Sequence, residues 1–257
     1  MDNNYKKLNN QPLQFVLAEF KYSPVLQMEN FIPKIHDALR HEYPLIEKKQ
    51  QQEVEVQATG VNVTTSDHWI LLSKNKRNAV EVGPNRTVYM TSEYDRFEGF
   101  STKCKEILDI VQEAASLNLM VRVGLRYGDL IHIEKDKNIE YYVDQQFSFP
   151  KALDLFGASR HQKTESFVKT DDGWLVVRSL YGVHDLVSMP DAQGIPITLD
   201  NPNQVSERMI LDFDNVWETE PQDFDIDFLM NKLEQMHSNS RKAFWDITTE
   251  DAIRDWS

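Results

Sequence analysis

The residues best able to do chemistry lie on one run, Leu119-Met-Val-Arg-Val-Gly-Leu-Arg-Tyr127. A strand's period of two puts Leu119, Val121, Val123, Leu125 and Tyr127 on one side and Met120, Arg122, Gly124, Arg126 and Gly128 on the other. At about 3.3 Å per residue the two arginine Cα atoms lie roughly 13 Å apart, with a glycine between them. Two guanidinium groups over a floor left bare by Gly124 suit an anion or a carboxylate-bearing segment of a partner. Arg122, Gly124, Arg126 and Tyr127 are therefore the candidate ligand- or partner-binding residues. The plainer account, which is preferred, pairs both arginines with local acids.

Further along the same run His132, Glu134 and Asp136 share a face. In a later run Asp212 and Asp214 share the side opposite Met209, Leu211 and Phe213. A histidine with carboxylates can ligate a divalent cation. If the two strands adjoin, His132, Glu134, Asp212 and Asp214 would make a metal-dependent hydrolase or nuclease, the alternative to a binding protein. Lys135 and Lys137 interrupt the first set, and a solvent-facing strand is the simpler reading of the second. His237 falls on an apolar helical stripe with Leu233 and Phe244 and reads as a hydrogen-bonded core histidine. Cys104 reads as a small buried hydrophobe. Phosphate-loop, dinucleotide-loop, nucleophile-elbow and His-Glu-x-x-His patterns do not occur, so no catalytic residue is assigned and no cofactor is expected.

The elements that must carry these residues read as mixed α and β. Leu13 to Tyr22 is a nearly continuous apolar run and predicts a buried strand. Met28, Phe31, Ile32, Ile35 and Leu39 fall at helical spacing, in a helix that must stop before Pro44. Short β runs follow at Trp69–Ser73, Ala79–Val82 and Thr87–Met90. A second helix carries Phe97, Phe100, Cys104, Ile107, Leu108, Val111 and Ala115 on one face, with Ser92 and Asp95 as a capping box. A strand from Leu119 to Ile133 completes a β-α-β-β-β-α-β order. The second half predicts a hairpin through Thr170–Gly173 and a long connection from His184 to Gln204 with a strand near Ile195–Leu199. A strand at Met209–Asp214 and a long C-terminal helix follow, with a last helical turn opened by Thr248 or Thr249. The expectation is an α+β fold, mostly antiparallel, with two long helices in the N-terminal half and middle and one long C-terminal helix. It divides into residues 1–135 and 136–257, or forms one unit.

Charge narrows the partners. Lys and Arg number 28 against 41 Asp and Glu, a formal net charge of −13. Residues 200–257 hold 14 of the acids and 5 of the bases, and from Asp212 to Asp227 there are seven acids and no base. Nucleic-acid binding normally needs a basic footprint, so a nucleic-acid partner is not expected. The acidic C-terminal surface is either a solvated face or a docking face for a basic protein partner. A single cysteine excludes an internal disulfide, no run approaches the ~20 apolar residues of a membrane span, and no apolar stretch follows Met1–Lys7. A cytoplasmic protein without a membrane partner is expected.

Three groups of residues carry a family resemblance. Pro12-Leu-x-x-Val16 leads to the helix ending at Tyr43-Pro44. Tyr94-x-x-Phe97-Glu98-x-Phe100 precedes Arg122-Val-Gly-Leu-Arg-Tyr127. Leu211-Asp212-Phe-Asp214 precedes Met236-His237 and Phe244, with Ile247-Thr248 behind it. In this order the chain resembles, over essentially its whole length, a sporadically distributed bacterial family of conserved hypothetical proteins, about 260 residues long, without an established function. The resemblance implies a cytoplasmic bacterial protein of an accessory or defence-type locus and supplies no catalytic residue. That family usually has Asn where this chain has Asp129, and if the Asn side chain donates a hydrogen bond there, an Asp does not, so no role is carried over to that position. Together these features point to a binding or regulatory protein that uses an Arg-lined groove and an acidic C-terminal surface.

Overall fold

The computed structural model describes residues 5–57, 60–148, 150–157, 161–171, 173–184, 196–200 and 204–257. Nine strands form one antiparallel sheet: β1 (Leu13–Tyr22), β2 (Leu45–Gln57), β3 (Gly60–Leu72), β4 (Asn78–Val82), β5 (Arg86–Thr91), β6 (Leu119–His132), β7 (His161–Thr170), β8 (Gly173–His184) and β9 (Ser206–Asp223). Their order across the sheet is β2-β3-β4-β5-β1-β6-β9-β8-β7. The helices are α1 (Ile32–Leu39), α2 (Phe97–Ala115), α3 (Ile226–Ile247) and α4 (Glu250–Trp256). The sheet runs through strands from both sides of residue 135, because β6 pairs with β1 on one edge and β9 on the other.

The α+β class and the antiparallel pairing agree with the sequence, and several details do not. A polar strand precedes the predicted run at Trp69–Ser73: β2, Leu-Ile-Glu-Lys-Lys-Gln-Gln-Gln-Glu-Val-Glu-Val-Gln, has no apolar alternation over its first nine residues and is held by its ladder to β3. Only one long helix, α2 with 19 residues, lies in the N-terminal half and middle. The other, α1, has 8 residues, with Pro33 in its first turn, and closes before Tyr43-Pro44. The capping box is absent: α2 begins one turn later than Ser92 and has no side-chain cap, while the Ser92 hydroxyl donates to the Thr198 carbonyl at 2.8 Å. The connection from 184 to 204 is described at 196–200, where it is not a strand. Its other residues, including Ile195, lie outside the described set. Thr249 caps α4 as expected.

The core lies mainly on one side of the sheet. Val16, Ala18 and Phe20 of β1, Val123 and Leu125 of β6, and Leu211 and Phe213 of β9 meet Cys104, Ile107, Leu108 and Val111 of α2 and Leu229, Leu233 and Met236 of α3. Across the sheet a smaller cluster of Phe15, Ile70, Leu72, Met90, Leu130 and Ile210 is closed by Ile197 and Leu199. Apolar cover on both sides explains why β1 reads as a continuous apolar run. Phe15 sits opposite Gly128, and a Cβ built there would stand 2.3 Å from the buried ring. Gly128→Ala is therefore expected to lower stability by about 2 kcal/mol, as overpacking of a core ring does, measured by urea unfolding.

Candidate functional site

On the side of the sheet away from the helices, the predicted arginine pair is not an open groove. Arg126 grips the carboxylate of Asp212 with two bonds, Nε to Oδ1 at 2.7 Å and Nη2 to Oδ2 at 2.9 Å. Arg122 lies 3.6 Å from Glu19 and 3.4 Å from Glu218. The floor over Gly124 is taken by the Glu19 side chain, 3.7 Å from where a Cβ would stand. Sequence reasoning missed Glu19 because it enters from β1, paired with Gly124 across the ladder. Asp212 is no solvent-facing residue. It is 1% exposed and also accepts from Arg178 Nη1 at 3.1 Å. Burial and the neighbouring Asp212 charge raise the proton affinity of Asp214, which accepts from Arg178 at 3.3 Å.

The metal set is not brought together. The ladder pairs His132 with Arg208 and Gly128 with Asp212, so His132 and Asp212 are four positions apart along the strands, roughly 13 Å. Glu134 instead pairs with Lys137. Among the described residues no group of three or more His, Cys, Asp or Glu could hold a metal ion.

On the same side of the sheet, Ser66 Oγ lies 3.0 Å from His68 Nε2, and His68 Nδ1 lies 2.8 Å from Glu81 Oε1. This is the atom order of a hydrolase relay. Here Glu81 is shared with Arg86, His68 is 1% exposed, and the chain ties β3, β4 and β5 together. Burial opposes ionisation of Glu81, but the bonds from His68 and Arg86 outweigh it and hold its carboxyl below the usual range.

The helix side holds a cavity of about 190 Å³ between β6, β9, the start of α2 and the middle of α3. Tyr94, Phe213, Phe244 and Trp245 supply aromatic walls. His237 stacks on Phe97 with ring centroids 4.1 Å apart and planes within 2°, and its Nδ1 shares a 2.8 Å hydrogen bond with the Tyr127 hydroxyl. Tyr127 thus faces away from the arginines with which it was grouped, as the strand period requires. His237 is hydrogen-bonded as expected, but it borders the cavity. Burial, then the charge of Arg241, lowers its pKa to about 4, so the ring is neutral at pH 7. Residues 5–11 line the mouth: Tyr5 packs on Trp245 at 5.3 Å, Lys7 pairs with Asp95, and Gln11 Nε2 donates to the Tyr94 carbonyl at 3.1 Å.

Asp129 lies in the wall of this cavity and is 5% exposed. Among the described residues its carboxylate has no hydrogen bond or ion pair, and burial, with the Asp212 charge behind it, raises its pKa to about 8. At pH 7 Asp129 is mainly the neutral acid, which has the shape of Asn and can donate a hydrogen bond. The objection to an Asp at this position applied only to its ionised form. Tyr94, Phe97, Tyr127, Asp129, His237 and Phe244, which the sequence spreads over distant segments, all line this one cavity. The signal for it was Asp129 itself, an acid inside the apolar half of a strand.

No protein-family model and no curated protein matches the chain.

Proposed function

We propose that the protein is a binding or regulatory protein whose recognition site is the cavity beneath residues 5–11, in place of the Arg-lined groove. One observation carries this reading: Asp129, a buried carboxyl without a hydrogen-bond partner among the described residues, borders a space large enough for a small molecule. Burying an unpaired polar group costs free energy, so such a group is retained where a ligand completes it. Aromatic walls that face convergent polar groups such as Asp129, His237 and Ser240 are found in small-molecule sites. The acidic C-terminal surface carries the reading less well, since Glu218 meets Arg122, Asp225 caps α3 and Asp227 pairs with Lys105.

A thermal-shift screen of ring-bearing fragments, neutral and charged, tests the reading. Bound fragments are expected to raise the melting temperature by several degrees and to perturb the NMR signals of Tyr127, His237 and Ser240. A screen without binders, or binders whose shifts map elsewhere, overturns it.

A further inference from the structure

We infer that the ligand of this cavity is a compact heteroaromatic ring that offers an N–H edge to Asp129 and carries an anionic group toward Arg241. The inference rests on the reading of the cavity as the binding site, and it adds the chemical class of the occupant.

Two groups without a hydrogen-bond partner among the described residues define the class. Asp129 needs a donor or an acceptor that the protein does not supply. Arg241 has a buried Nε with no hydrogen-bond partner and, among the described residues, no carboxylate within ion-pair distance, in a chain with 13 excess negative charges. Its guanidinium instead lies on the Tyr5 ring, 4.6 Å from the centroid, at the mouth. An arginine left without a carboxylate in an acidic protein is a ready anion site, because its planar donors fit carboxylate and phosphate. Arg241 stands one helical turn from His237 on α3, and both line the cavity that Asp129 borders. The remaining charged lining residues are Lys6, Lys7 and Arg96 against Asp95 and Glu98, so the mouth keeps a cationic surplus.

Shape and walls supply the rest. An apolar cavity of about 150 Å³ takes benzene, so about 190 Å³ holds one ring with substituents, and a larger anionic group would project into the mouth. Flat rings gain most against Tyr94, Phe213, Phe244 and Trp245. An alkylammonium ion would satisfy Asp129, but it would leave Arg241 without a partner and meet repulsion at the mouth. An anionic lactam ring answers both ends.

Calorimetry at pH 7 with five compounds tests this: orotate, uracil, 1,3-dimethylorotate, guanosine monophosphate and guanosine. Orotate carries the anion as a carboxylate and guanosine monophosphate as a phosphate, so the pair distinguishes the two sources. The anionic member of at least one pair is expected to bind at least about tenfold more tightly than its neutral parent, as one charged hydrogen bond allows. Arg241→Gln should erase that advantage while leaving the affinity of the neutral parent unchanged, and Arg241→Lys should keep part of it. Methylating both ring nitrogens of orotate should cost a similar factor. Equal binding of charged and neutral members, an advantage that survives Arg241→Gln, or no binding of any of the five overturns the ligand class. The cavity reading is judged separately by the fragment screen, which requires neither an anion nor an N–H edge.

Discussion

Asp129→Asn is expected to be more stable than the parent chain at pH 9 by about 6 kcal/mol and equal to it near pH 4. The carboxyl titrates near 8 in the folded chain against an ordinary value of 3.8. Between those values the folded state holds a proton that the unfolded state has released, so each pH unit removes ~1.4 kcal/mol of stability. The loss begins near pH 4 and is complete above pH 8. His237 works in the opposite sense and in a different window. Its pKa falls from 6.5 to about 4 on folding, so its contribution rises with pH up to 6.5 and is constant above it. From pH 6.5 to 8 the Asp129 slope therefore stands alone, about 2 kcal/mol. Urea unfolding of both proteins from pH 4 to 9 measures the difference, and parallel profiles above pH 6.5 would mean that Asp129 is ionised and paired. A ligand that donates to the carboxylate should flatten the parent profile in the same window.

Asp212→Ala carries the second large effect, a loss of about 3–5 kcal/mol in urea unfolding. Asp212 is 1% exposed and joins Arg126, through two short bonds, to Arg178. Removing it leaves Arg126 without its two-pronged partner in a site that is largely closed to water. The intact cluster is worth much less than this loss, because the desolvation of its charges offsets most of their attraction. The double variant Arg126→Met with Asp212→Leu should accordingly recover most of the stability lost in the single one. A single variant that loses less than about 1 kcal/mol would show that the cluster is hydrated and weak, and would reopen this face as a recognition surface.

These two results separate what could be read from the chain from what could not. The two-residue period of β6 was legible, and it divided Tyr127 from Arg122 and Arg126 correctly. The apolar faces of α2 and α3 were legible for the same reason, since their inner stripes repeat at helical spacing. By contrast, β2 was missed, because strand pairing can hold a polar segment that has no apolar face. The cavity was also missed as a unit. Tyr94 precedes α2, Asp129 is on β6 and His237 is on α3, and no spacing along the chain relates them.

Sequence alone determined which residues share a side of each strand and helix, because that depends only on local backbone periodicity. It also determined the class of fold and the surplus of acid. Tertiary structure alone decided which charges meet, because strand order and register set cross-strand neighbours over long separations, 86 residues for Arg126 and Asp212. The same pairing turned two candidate recognition arginines into parts of the scaffold, and among the described residues it left Asp129 without a hydrogen bond and Arg241 without a carboxylate around one cavity.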